Sequence, residues 1–344
     1  MNEAYRRKES KQFLLFLFVT VSLSLSIVFT DVRTFDTNNI PATGYIDTID
    51  YLKMYFGRPI RNICGSRVLV PYLARFVPEI PHRLLPLDRS FDYLGKAVIK
   101  FGIVNFFFLV GTSIALYFLQ LGFGMNYFEI FLSGMLFFSS STVVRSAGLP
   151  LSDGAFFFFF TLSIIAIQRN NFLLLLFAQI IGVLAKELVM VLSIPLILLS
   201  VLSGRRKLEM LLTSLISIAL FIFVRFTVTA SHLGNLSVKA AISPLIPYPN
   251  IFKSQLLILI SPRGLLRLFF SFGLVWMPAI YALVRCKVPA LLKRWVWLIP
   301  ILLLGILLFE GNFDRITFSA FPIVIPLATL GLSRWLNSDV SSVQ

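Results

Sequence analysis

The sequence predicts an all-α polytopic membrane protein with about ten transmembrane helices, and three observations lead there. Of 344 residues, 57% are hydrophobic and 14% charged, a balance that excludes a water-soluble globule of this length. Phe occurs 36 times, in blocks such as 106–108 and 156–160, a density that suits lipid contact better than a water-facing surface. Apolar segments also recur between charged or Pro/Gly-rich interruptions, near the length of about 20 residues that a helix needs to cross a hydrocarbon core. The whole chain, 1–344, is expected to form a single integral-membrane domain with no separate soluble domain. Residues 31–97 form its first extracytoplasmic loop, containing short amphipathic helices.

The first span, Phe13 to Thr30, follows Arg6, Arg7, Lys8 and Lys11, which the positive-inside bias keeps in the cytoplasm. A cleaved signal peptide shares a basic start and an apolar stretch, but this run of 18 residues exceeds a usual signal core and lacks an A-x-A end. A retained anchor is the favoured reading. The loop after it carries seven acidic and nine basic residues. Further spans are expected near Phe101–Leu121, Phe128–Val144 and Gly154–Ile167. The stretch from Phe172 to Leu202 is too long for one untilted helix and carries Lys186 and Glu187 at its middle, so it reads as two short helices meeting outside. The last spans fall near Met210–Thr229, Leu265–Val284, Trp295–Phe309 and Ile316–Leu332.

Alternating these spans puts Arg169, Arg205 to Lys207, Arg285, Lys287, Lys293, Arg294 and Arg334 on the cytoplasmic side, with both termini. The net charge of +15 is thus largely an orientation signal and implies no nucleic-acid partner. Acidic residues divide 11 outside to 5 inside, so the outer face owns nearly every group capable of acid or base work. Cys64 and Cys286 fall on opposite faces and cannot pair with each other.

Ionisable residues within or beside hydrocarbon cost several kcal/mol and are functional candidates by default. Arg145 and Asp153 bracket one outer loop, Lys186 and Glu187 form a hairpin tip, and Glu310, Asp314 and Arg315 lie between the last two spans. Any one of these pairs would also serve as an interfacial salt bridge that orients a helix end. Three such loops on one face favour a shared site. In the first loop, a helix from Asp47 to Met54 would put Asp47, Asp50 and Tyr51 on nearly one face by their i, i+3 and i+4 spacing. Two adjacent carboxylates could accept a proton or hold a divalent cation, Mg²⁺ or Mn²⁺; the competing role is to favour a helix N-terminus. No other cofactor is suggested.

Together these features resemble the integral-membrane glycosyltransferases of the GT-C class, which use polyprenyl-phosphate sugars. The matching elements, in chain order, are the cytoplasmic anchor, Asp47 with Tyr51 four residues later, and Arg67-Val-Leu-Val-Pro71, which is similar to an R-x-L-x-P motif. Gly182-Val-Leu-Ala-Lys186-Glu187 resembles a G-x-L-x-K-E hairpin, and Asp314-Arg315 with Pro322 looks like a late D-R pair. The resemblance implies sugar transfer at the extracytoplasmic face of a bacterial inner membrane, from a polyprenyl-phosphate-linked sugar to a lipid or cell-envelope glycan. It assigns the general base to Asp47, with Asp50 as the rival, and substrate binding to Tyr51, Arg67, Arg145, Asp153, Lys186, Glu187, Asp314 and Arg315. Several subfamilies carry a large soluble C-terminal domain, which is not expected here.

Other signals are weaker. His82 and His232 suggest neither a metal cluster nor a Ser-His-Asp triad, and Gly122-Phe-Gly124 is no phosphate-binding fingerprint. Phe156 to Phe160 read as lipid-facing or packing surface, with contact to a polyprenyl tail as a further role; Arg263 and Arg267 read as interfacial anchors or as holders of lipid or donor phosphate. A lipid or glycan transporter, and a polymerase or ligase of the O-antigen type, are the alternatives. A transporter should place charges near mid-membrane, reachable from both faces.

Overall fold

A computed structural model of the chain describes residues 3–35, 47–58, 67–79, 93–146, 149–233, 249–309 and 313–341. The described residues are helical, with turns between helices and no strand among them. A long helix α1 (Glu3–Thr34) precedes two short ones, α2 (Asp47–Tyr55) and α3 (Leu69–Phe76). Then come α4 (Tyr93–Gly122), α5 (Tyr127–Ser139), α6 (Ser141–Ser146), α7 (Asp153–Gln168), α8 (Phe172–Ala185), α9 (Leu188–Leu199) and α10 (Gly204–Leu233). The remainder is α11 (Pro249–Ile260), α12 (Pro262–Phe272), α13 (Trp276–Arg285), α14 (Ala290–Trp295), α15 (Leu298–Phe309), α16 (Phe313–Phe318) and α17 (Phe321–Ser341).

Among the described residues, four helical stretches, Glu9–Thr34, Leu94–Gly122, Gly204–Val224 and Pro262–Arg285, are long and apolar enough to cross a membrane. The other segments expected to span form shorter helices, several joined end to end. The stretch from Phe172 breaks at Lys186-Glu187 into α8 and α9, as its length and central charges required. Between α12 and α13 the helix is interrupted by a 3₁₀ turn at Gly273, whose φ of 56° is open to glycine and strained for other residues. The helix α11 has no counterpart among the expected spans.

The centre of the bundle is α7, which packs against α4, α8 and α9. It runs parallel to α4: Asn105 lies by Gly154, Phe108 meets Phe158 and Phe159, and Gln168 donates to the Leu119 carbonyl. Phe156, Phe157, Phe159 and Phe160 are all buried, so of the two readings of that block, lipid-facing or packing surface, the second holds for these four. Phe156 stacks on Phe160, while Phe157 meets Phe318, Phe321 and Phe137 edge to face. The block is internal packing surface because α7 is enclosed by neighbours. Exposed apolar surface is carried instead by rim helices, as at Leu14, Leu15 and Phe18 on α1 and at Leu208, Leu212 and Leu215 on α10.

Candidate functional site

The site is assembled at the N-terminal end of α7, where Asp153 opens the helix and is almost completely buried. A carboxylate is favoured in a first turn by the unpaired amide groups and the helix dipole. That does not cover its burial, and two cations do. Lys186 Nζ donates to Asp153 Oδ1 at 2.8 Å, and Arg315 Nη2 donates to Oδ2 at 2.6 Å. Lys186 reaches this point because α8 ends there with a sharp change of backbone direction. Gly182, one turn earlier, sits so close to α7 and α9 that an added Cβ would lie 2.9 Å from Phe159 Cβ and 2.9 Å from Val189 Cγ1. The ammonium also lies 5.2 Å from the centre of the Phe156 ring.

Next to Lys186, Glu187 faces the opposite partner. Arg67 grips it with two arms, Nε to Oε2 at 2.9 Å and Nη2 to Oε1 at 2.5 Å. This parallel fork is the strongest geometry available to a carboxylate and a guanidinium. Burial pushes the Glu187 carboxyl up, and the Arg67 guanidinium more than reverses this, leaving it lowered to about 2. Arg67 stands just before α3, and Pro71 lies in that helix's first turn, where a missing amide costs nothing.

Asp47 joins the two halves. Its Oδ2 lies 3.5 Å from Arg315 Nη1 and 3.9 Å from Arg67 Nη1, so a single oxygen faces both guanidinium groups. Six side chains from five separate stretches thus form one chain of charge: Glu187, Arg67, Asp47, Arg315, Asp153 and Lys186. Asp47 is its most open member, with 29% of the side chain exposed against 3% for Asp153. No family model, no curated protein and no solved structure matches this chain.

The helix that carries Asp47 is fixed from two sides. Tyr51 is buried, and its hydroxyl pairs with Ser152 Oγ at 2.9 Å, tying α2 to the start of α7. At the other end, Arg75 of α3 donates from Nε to the Tyr55 carbonyl at 2.7 Å and from Nη2 to the Met54 carbonyl, closing the C-terminus of α2. Sequence reasoning missed Ser152 and Arg75. A serine and an arginine among many carry no local signal, since their roles come from helices that meet only in three dimensions.

Of the ten residues expected at the site, six belong to the charge network and Tyr51 braces it. Asp50 shares α2 with Asp47 and is buried. Arg145 lies in the last turn of α6 with an exposed side chain, and among the described residues no ion pair joins it to the network. The Asp314 side chain and Glu310 lie outside the described residues. Nor does any group of three or more His, Cys, Asp or Glu suited to a metal ion gather among the described residues. Asp47 already faces two guanidinium groups, whose charge opposes a divalent cation at the same oxygen. Among the described residues, Asp47 stands in an ion network and not in a cluster of ligands suited to Mg²⁺ or Mn²⁺.

Proposed function

We propose that the chain is a membrane glycosyltransferase that moves a sugar from a polyprenyl-phosphate donor to a lipid or cell-envelope glycan at the extracytoplasmic face. The observation that carries this reading is the convergence of Asp47, Arg67, Asp153, Lys186 and Arg315, spread over four loops of the sequence, on one end of the bundle. A path for a transported solute would string such charges along the membrane depth; here they lie where helices begin and end. The reading also takes the outer face to hold this site, in a bacterial inner membrane with both termini in the cytoplasm.

The chemistry asks for two groups. An acceptor hydroxyl must lose its proton as its oxygen attacks the anomeric carbon, and the bond from that carbon to the donor phosphate must break with its electron pair passing to the phosphate oxygen. Asp47 is the base, because it is the member of the network with an open side chain and no short hydrogen bond to a cation. Asp50 is too deeply buried for that task. Arg67 and Arg315 stabilise the departing phosphate, each held in place by a deeper carboxylate. The deciding experiment follows transfer from a radiolabelled polyprenyl-phosphate sugar in membranes. Asp47→Asn should abolish transfer with expression and insertion intact, and undiminished transfer would remove Asp47 from the base role.

A further inference from the structure

The stretch Pro262–Arg285 has the length of a span, but its backbone is broken at Gly273, where φ 56° and ψ −133° lie outside any helix. Each half is short. The 11 residues of α12 and the 10 of α13 rise about 16 and 15 Å, against about 30 Å of hydrocarbon. The halves also have different neighbours: α13 packs along α17, whereas α12 packs against α11, α16 and α6. Helix α16 carries Arg315, and α6 leads into the loop before Asp153, so both stand at the site end of the bundle. Phe272 meets Phe318 with 5.1 Å between ring centres, and Ser141 Oγ donates to the Phe270 carbonyl at 2.9 Å. Trp276 Nε1 reaches back over the break to the Leu268 carbonyl at 3.2 Å, which braces the bend.

On α12 the buried side is Gly264, Ser271 and Phe272, with half-buried Leu268 between them. The outward side divides into two strips. Leu265, Leu266, Phe269 and Phe270 expose apolar surface, and beside them Arg263 and Arg267, one turn apart, expose their side chains. Among the described residues no ion pair is made by either arginine. We propose that α12 lies in the plane of the membrane surface at the site end, its apolar strip among acyl chains and Arg263 and Arg267 on the phosphate of an anionic phospholipid headgroup. The two strips run side by side along the helix, so a boundary between water and hydrocarbon that satisfies both is parallel to its axis. A crossing helix would need them separated end from end. Arginines without an acidic partner favour an anionic headgroup over a zwitterionic one, whose own cation already balances its phosphate. The Phe272–Phe318 contact then fixes Arg315, one turn earlier on α16, close to headgroup depth. None of this depends on glycosyl transfer, and the test uses none.

Purified full-length protein with Cys64→Ser and Cys286→Ser carries a fluorophore on Leu266→Cys or on Phe270→Cys, both exposed positions. It is reconstituted into phosphatidylcholine vesicles containing phosphatidylglycerol, and nitroxides along the lipid acyl chains measure the depth of each label by quenching. The two labels should lie within about 2 Å of the same depth, whereas a helix along the membrane normal separates them by about 6 Å. A difference of about 4 Å or more overturns the in-plane helix. Moving the nitroxide between phosphatidylglycerol and phosphatidylcholine then measures headgroup preference beside α12. The parent should favour phosphatidylglycerol by about fivefold or more, and Arg263→Gln with Arg267→Gln should bring the ratio close to one. Arg263→Lys with Arg267→Lys should keep most of the preference, which separates loss of charge from loss of fold. Equal quenching by the two lipids in the parent, or a preference that survives in the glutamine pair, overturns the headgroup site.

Discussion

At the scale of single residues, the buried pairs govern whether the site exists at all. Glu187→Gln removes the bidentate counter-charge from Arg67 while leaving the guanidinium mostly buried, with Asp47 at 3.9 Å, and breaking a buried pair from one side costs about 3–5 kcal/mol. That variant should lose monodispersity in detergent at a clearly lower temperature than the parent. Replacing both partners with apolar residues, as in Arg67→Met with Glu187→Leu, should recover much of the loss without recovering function, because no unpaired charge remains. The same pair sets an acid limit. Glu187 is lowered from an ordinary value of 4.5 to about 2 in the folded chain, so its contribution is complete above roughly pH 4.5 and fades as pH falls toward 2. Thermal stability should therefore be flat in this contribution between pH 7 and 5 and fall below it, and Glu187→Gln should flatten that acid limb. An unchanged limb in the variant would mean that the carboxylate does not report the pairing.

At the scale of elements, the helices that carry the charges are placed by contacts that hold no charge. Gly182 lets α8 approach α7 closely enough for Lys186 to reach Asp153, and the added carbon of Gly182→Ala meets Phe159 Cβ and Val189 Cγ1 at 2.9 Å. Overpacking of this kind costs about 1–3 kcal/mol, and the shift it forces should loosen the Lys186 bridge. Transfer by Gly182→Ala should fall at least tenfold at a temperature where the protein stays folded, and parent-like activity would show that the approach is not needed. Arg75→Ala should behave differently. It strips the cap from the Met54 and Tyr55 carbonyls of α2, so the maximal rate should drop while helix content and donor affinity change little. The break at Lys186-Glu187 was legible because a mostly apolar stretch of 31 residues exceeds one span and two charges marked its middle. The helix Asp47–Tyr55 was legible from i, i+3 and i+4 spacing. Burial of Phe156, Phe157, Phe159 and Phe160 was legible only as one of two readings, since in a bilayer protein the core and the lipid face are equally apolar and hydropathy cannot tell them apart. Nor was α11, whose Lys253 is followed by too few apolar residues to register as a span.

At the scale of the whole molecule, the alternation of charge along the chain and the folded arrangement make one joint statement. Side chains expected on the outer face meet at one end of α7, through Asp153, Lys186 and Arg315. At its other end, Gln168 joins Leu119, and Arg169 stands over Phe118. The ordering therefore needs one fact to become a topology, namely which end faces out. In a Cys64→Ser, Cys286→Ser background, Arg145→Cys reports the end near the site and Arg205→Cys the opposite end, both at exposed positions clear of the charge network. A membrane-impermeant maleimide should label Arg145→Cys in intact cells and Arg205→Cys only after permeabilisation. The positive-inside bias requires this result, because moving Arg205, Arg206 and Lys207 outward would reverse the placement of the basic loops. Labelling of Arg205→Cys in intact cells, with Arg145→Cys protected, would turn the site toward the cytoplasm. The donor would then have to present its phosphate from the inner leaflet, and the extracytoplasmic assignment of the reaction would fail.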